Sequence, residues 1–207
     1  MAVAIKELIR DLSSKDKEKR RGASVKLGEV RDPIAIEPLI RASGRGGGER
    51  AKTAAVNALA KIGEPAVQHL IEALEHGYNI FCRASAAQAL GLIGDARALR
   101  ALLDSARNHS TEVRLHTIVA LARLKSRKAI PVFIKALRDS SGGVRIQAVQ
   151  ALTMIKSKKS VQPLADSLDD DKWYVRQHAA RVLGMLRDSR AVEALSGALS
   201  DPRPAVR

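Results

Sequence analysis

Arg83-Ala-Ser-Ala-Ala-Gln-Ala-Leu-Gly-Leu-Ile-Gly-Asp95 and Arg176-Gln-His-Ala-Ala-Arg-Val-Leu-Gly-Met-Leu-Arg-Asp188 are two copies of one pattern, separated by three times 31 residues. Filling in the intermediate copies gives a basic column at Arg20, Lys52, Arg83, Arg114, Arg145, Arg176 and Arg207, spaced 32 once and 31 thereafter. A fixed period in this range marks stacked supersecondary units that bury their apolar faces against one another.

Each unit holds two apolar patterns of helical spacing. The first runs Ile5/Leu8/Leu12, Ile36/Leu39, Val67/Leu70/Leu74, Leu99/Leu102, Ile130/Phe133/Leu137, Val161/Leu164/Leu168 and Val192/Leu195/Leu199. The second follows the basic column by three, seven and ten residues, as in Ala55/Leu59/Ile62 and Ala148/Leu152/Ile155. Gly63 and Gly94 fall where a helix end wants a left-handed residue, and Asp32-Pro33 and Glu64-Pro65 put an acid at the N-cap and proline at the first helical position. The repeating unit is therefore a helical hairpin. Its expected bounds are 1–32, 33–64, 65–95, 96–126, 127–157, 158–188 and an incomplete 189–207.

These residues resemble the HEAT-like repeats named after phycobilisome bilin lyases (PBS-lyase HEAT-like repeats), whose unit reads V-R-x-x-A-A-x-A-L-G-x-I-G-D-x-R-A-V-x-P-L; Val175 to Leu195 and Arg83 to Leu103 carry the likeness. It implies an all-α, right-handed α-α superhelix, an armadillo-like solenoid of about six and a half hairpins over 1–207. The last copy stops at Arg207 before its second helix can bury its Ala and Leu positions, so a fragment of a longer chain is expected. The polar first copy, with Lys15 to Arg21, reads as a cap. The resemblance also implies an Asp six residues before the basic column that pairs with a column arginine; those positions are Ser14, Gly46, Gly77, Asn108, Asp139, Asp170 and Asp201.

Composition narrows the chemistry. Apolar residues make up 45% and aromatics 2%, so the core is built from Ala, Leu, Ile and Val. No run approaches the ~18 apolar residues of a membrane span, and the start turns to charge too early for a signal peptide, which points to the cytoplasm. Cys82, the single cysteine, rules out an internal disulfide and a multi-cysteine metal site; it shares a column with Val113, Val144 and Val175 and reads as core. Gly46 to Thr53 spells G-x-x-x-x-A-K-T, one residue from a phosphate-binding loop, but no strand is expected before it. Instead Gly44 to Gly48 reads as the turn inside the second hairpin, like Ser140-Ser141-Gly142-Gly143. His69, His76, His116 and His178 show no ligand spacing, the His-Glu dipeptides of deoxyhypusine hydroxylases are missing, and no Ser-His-Asp or paired-carboxylate arrangement stands out. No catalytic residue, cofactor or small-molecule substrate is assigned.

Two surfaces remain. In the resembled family the second helix of each hairpin lines the concave face, which places Ile80, Phe81, Ala84, Ser85, Gln88 and Leu92, then Leu115, His116, Val119 and Arg123, on it. Ile146, Gln147, Gln150 and Met154 follow, then Trp173, Tyr174, Gln177, His178, Arg181 and Met185. This mixture of apolar and amide side chains suits a protein or peptide. The second surface is charge: the chain carries +14, and residues 105–160 hold twelve Lys/Arg against Glu112 and Asp139. The excess gathers in loops between hairpins: Lys125, Arg127 and Lys128; Lys156, Lys158 and Lys159; Arg187 and Arg190. Aligned by the repeat, they form a rim that either offsets helix dipoles or tracks nucleic-acid phosphates. A non-catalytic protein-binding scaffold is the first expectation, nucleic-acid binding through the rim the second, and a bilin lyase subunit the third, on resemblance alone.

Overall fold

The computed structural model describes residues 2–45 and 48–207. Among them the chain is helical throughout, without a strand. It packs as two compact units, Met1–Leu124 and Lys125–Arg207. Unit 1 contains four hairpins: α1 (Ala2–Asp11) with α2 (Lys17–Val30), α3 (Ile36–Ser43) with α4 (Glu49–Ile62), α5 (Val67–His76) with α6 (Ile80–Ile93), and α7 (Leu99–Ser105) with α8 (Thr111–Arg123). Unit 2 contains α9 (Ile130–Ala136) with α10 (Gly142–Ile155), α11 (Val161–Asp166) with α12 (Trp173–Leu186), and α13 (Val192–Ala198). In unit 1 the second helices pack in sequence, α2 on α4, α4 on α6 and α6 on α8; in unit 2, α10 packs on α12.

The core follows the periodic columns. Leu27, Leu59, Leu90 and Leu121 are fully buried in unit 1, as are Leu152, Leu164 and Phe133 in unit 2; each contributes about 2 kcal/mol of burial. Cys82 and Val113 are buried in unit 1, as Val144 and Val175 are in unit 2. With few aromatics to fill space, unit 1 brings backbones together instead. A Cβ on Gly28 would lie 2.8 Å from Ala58 Cα, and one on Gly91 would lie 2.6 Å from Ala120 Cα. Val192 and Leu199 of the last copy, 60% and 65% exposed, depart from their mostly buried column mates; among the described residues no helix follows α13.

Helix ends recur with the repeat. The residue eleven after the basic column always has positive φ: Arg31, Gly63, Gly94, Lys125, Lys156 and Arg187. Glycine tolerates this conformation freely, whereas a residue with a Cβ is strained by ~1 kcal/mol. Asp32 accepts from Ile34 N at 2.9 Å as expected of an N-cap. Glu64 does not cap; Gly63, with φ 78° and ψ −132°, takes that place, and Glu64 falls one position inside the turn. The Ser140–Gly143 turn is shorter than expected, since α10 already starts at Gly142. The hydroxyl of Tyr174 lies over that glycine, 2.5 Å from where a Cβ would stand.

The basic column has two jobs. Nη1 of Arg20, Arg114, Arg145, Arg176 and Arg207 donates to the carbonyl six residues earlier, at 2.8–3.1 Å. The side chains of Ser14, Asn108, Asp139, Asp170 and Asp201 at that earlier position each accept from the backbone N–H two residues on. Serine and asparagine thus shape the turn as aspartate does. Only aspartate adds the rung between hairpins that the resemblance implied. Arg145 donates to both oxygens of Asp170 at 2.6 and 2.8 Å and also bonds Asp171, and Arg176 holds Asp201 at 2.6 and 3.0 Å. The guanidinium of Arg176 keeps the Asp201 carboxyl below its ordinary range. In unit 1 Lys52 sits between Glu49 at 3.7 Å and Glu112 at 3.8 Å, and buried Nε of Arg83 has no hydrogen-bond partner among the described residues. The rung position Gly46 lies outside the described residues.

Candidate functional site

The residues expected on a concave face lie on the second helices α6, α8, α10 and α12. On α6, Ile80 and Phe81 are exposed, with Gln88 and Leu92 half-buried. Ala84 and Ser85, expected on that face, are fully buried, and Ser85 Oγ donates to the Ser43 carbonyl at 3.2 Å; α3 covers this stretch, so these two offer no surface. On α8, Leu115, His116 and Val119 are half-buried and Arg123 is exposed. His116 Nε2 lies 3.3 Å from Glu112.

In unit 2, Ile146, Gln147 and Gln150 are half-buried, while Met154, Trp173 and Met185 are 50%, 40% and 58% exposed. Trp173 and Tyr174 meet edge to face with centroids 6.0 Å apart, which fixes the tryptophan's orientation. His178 Nδ1 is 2.9 Å from the Tyr174 carbonyl. Gln177 is half-buried and Arg181 exposed.

A groove over the second helices of unit 1 involves residues that the reading of the sequence left out. It has a volume of about 750 Å³ and is lined by Arg21 and Val25 of α2, by Glu49, Arg50, Thr53, Asn57 and Lys61 of α4, and by Leu92 of α6. The register that selected Ile80 to Leu92 selects Arg21, Val25, Arg50, Thr53, Asn57 and Lys61 when applied to the first two repeats. The signal was present one and two periods upstream. Arg21 pairs with Glu18 at 3.1 Å, both exposed. Among the described residues no carboxylate lies within ion-pair distance of Arg50 or Lys61. Lys52, the lysine of the loop-like motif, is 8% exposed and held between Glu49 and Glu112, so it is not placed to grip a phosphate.

The rim residues Lys125, Arg127, Lys128, Lys156, Lys158, Lys159, Arg187 and Arg190 are all exposed. Arg190 Nη2 donates to the Lys158 carbonyl at 3.1 Å, so the loops 156–159 and 187–190 lie side by side. Arg190 is also paired with Asp188 at 2.8 Å and holds that carboxyl below its ordinary range, which neutralises one of the eight cations. In unit 1 the corresponding Arg97 pairs with Asp95 at 2.7 Å and Glu64 at 3.2 Å, and hydrogen bonds from Arg97 hold Asp95 down at about 2. No group of three or more His, Cys, Asp or Glu side chains among the described residues is placed to hold a metal ion, and no described helix is long and apolar enough to cross a membrane.

Comparison with known proteins matches this geometry. The profile of HEAT repeats matches residues 5–91, 55–115, 99–173 and 167–207. No curated protein matches the chain. Among solved structures, the complex of CpcE and CpcF of phycocyanin lyase from Nostoc sp. PCC7120 is 26% identical, covering 92% of this chain and 79% of that one, with a TM-score of 0.55. The Escherichia coli protein YibA is 20% identical over 95% of this chain and 76% of its own, with a TM-score of 0.71. A designed armadillo repeat protein in complex with the peptide (KR)4 is 20% identical over 91% and 98%, with a TM-score of 0.56. The 31-residue hairpin, its buried columns and its arginine rungs are those of a repeat solenoid, and the chain belongs to the HEAT repeat family.

Proposed function

We propose that the protein is a non-catalytic scaffold that takes an extended protein segment on the concave face of its hairpins. The supporting observation is the groove over α2, α4 and α6, with an apolar base from Val25, Ala58 and Leu92 and polar walls able to pair a backbone. Thr53 and Asn57 supply hydrogen-bonding groups, and Arg50 and Lys61 supply positive charge not tied up in an ion pair among the described residues, while Glu49 in the same wall faces Lys52. Acidic or carboxylate-bearing segments suit such walls, the opposite of the (KR)4 peptide on the designed armadillo protein. In unit 2, exposed Met154, Trp173 and Met185 offer the large, partly desolvated side chains that anchor protein contacts. A lyase-subunit role rests on the CpcE–CpcF likeness, and no residue arrangement in this chain adds to it.

The test is selection of peptides from a random displayed library on the immobilised chain, followed by titration of enriched peptides against variants. Val25→Glu with Asn57→Glu should weaken binding at least tenfold while leaving the thermal midpoint within a few degrees, because both side chains are exposed. Failure to enrich any peptide, or enriched peptides indifferent to these substitutions, would overturn the reading.

A further inference from the structure

The loops joining one hairpin to the next occupy the same structural position in both units but carry different charge. In unit 1, loops 31–34, 63–66 and 94–97 each contain an acid, Asp32, Glu64 or Asp95. In unit 2, loops 125–128 and 156–159 have Ser126 and Ser157 at that place, and each loop carries three cations. Both serines still cap the following turn, accepting from Lys128 N and Lys159 N at 3.4 and 3.3 Å. In these two loops the capping function is kept and the negative charge removed, whereas loop 187–190 keeps its acid, Asp188, paired with Arg190.

Helix dipoles do not account for the cations. Lys125, Lys156 and Arg187 stand at helix C-termini, where positive charge is favourable, yet they hold φ values of 49–51° that glycine would adopt without strain. Arg127 and Lys128 lie in the turn that opens α9, and Lys158 and Lys159 in the turn that opens α11. Positive charge at the entrance of a helix opposes its dipole. Seven of the eight rim cations lack an ion-pair partner among the described residues; only Arg190 has one.

From this we infer that the edge of unit 2 formed by loops 125–128, 156–159 and 187–190 is a second binding surface, for the phosphate backbone of duplex nucleic acid. A ridge of cations recurring with the repeat fits a polymer of regular negative charge. None of the five aromatic residues falls in these loops, so the stacking that single-strand binders rely on is missing here. The loops also lack apolar side chains to insert into a bilayer. Recognition is through the backbone and independent of base sequence.

The experiment is fluorescence anisotropy of the intact chain with a labelled mixed-sequence duplex DNA at ~50 and ~200 mM salt, where six phosphate contacts lower affinity roughly a thousandfold. The combination Lys128→Glu, Lys156→Glu, Lys158→Glu and Lys159→Glu should reduce affinity at least a hundredfold at the lower salt. The same four residues changed to glutamine should give an intermediate loss and a shallower salt slope, a check that does not depend on tolerance of charge reversal. Arg31→Glu with Arg97→Glu in unit 1, and Val25→Glu in the concave groove, should change affinity less than twofold. Three outcomes would overturn the inference: no duplex binding at ~50 mM, loss of equal size from the unit 1 loops, or binding to phosphatidylserine vesicles without binding to duplex. Loss through Val25→Glu alone would instead put the nucleic acid in the groove, against both proposals.

Discussion

Unit 1 and unit 2 use one repeat but hold their hairpins together differently. In unit 1, Gly28 and Gly91 let α2 approach α4 and α6 approach α8 to backbone contact. The rung between hairpins is correspondingly incomplete, with Lys52 between two distant acids and Arg83 Nε unpartnered. In unit 2, the positions equivalent to Gly91 are Thr153 and Gly184, the latter with nothing within 4 Å of an added Cβ, and Arg145 and Arg176 each clasp an aspartate of the next hairpin with two short bonds. Close packing is short-ranged and indifferent to pH, whereas a carboxylate rung depends on ionisation. Repeats of one family can therefore diverge in what bonds them while keeping the same geometry.

Glycine should reveal the difference most strongly. Gly91→Ala forces a methyl against the Ala120 backbone and should destabilise unit 1 by about 2–3 kcal/mol as overpacking. Gly184→Ala, on an exposed site of α12 with nothing within 4 Å of the new Cβ, should stabilise by ~0.5–1 kcal/mol through helix propensity. Denaturant unfolding of the two variants measures both; equal and small effects would show that the close approach in unit 1 carries no packing energy.

The rungs come next. Asp170→Ala leaves Arg145, whose side chain is 11% exposed, with the Asp171 carboxylate and the Asp139 carbonyl, and should cost about 2 kcal/mol, below the full ~3–5 kcal/mol of a broken buried pair because those partners remain. The converse change, Asn108→Asp, offers Arg83 the missing acid and should raise stability by ~1 kcal/mol. Because Arg176 lowers the folded-state pKa of Asp201, that rung contributes fully above the ordinary carboxylate range near ~4 and is lost as pH falls through the depressed value. Acid titration followed by circular dichroism should show Asp201→Asn flattening the low-pH loss; an unchanged profile would remove the rung from the acid response.

The fold could be read from the basic column and two apolar columns because stacking repeats leaves little freedom once the period is known. The exposure of the expected face residues was partly legible: most are half-buried or exposed within their own unit, but burial of Ala84 and Ser85 depends on how α3 covers α6, which spacing along one helix does not contain. The groove of Arg21 to Lys61 was missed for a simpler reason, since the register had been applied only from the third repeat onward. The resemblance implies only an aspartate at the acid position, and two other side chains there do part of its work. Ser14 and Asn108 make the same turn without charge, a distinction that rests on which carbonyl and N–H the column arginine and its partner engage.

The smallest expected effect concerns the left-handed residue after each second helix. Lys156 holds φ 49° where Gly94 of unit 1 holds φ 75°. Lys156→Gly should relieve the strain and raise stability by ~1 kcal/mol, and Gly94→Lys should lower it by a similar amount. The exchange also moves one positive charge from the rim of unit 2 to the edge of unit 1 without changing the chain's net charge. If the rim is a phosphate track, the double variant should bind duplex DNA more weakly than the parent although its overall charge and its summed stability are unchanged. If affinity follows net charge alone, it should not change. A gain in stability at position 156 together with a loss of binding would mean that a lysine is kept there against the local backbone preference for what it contacts outside the chain.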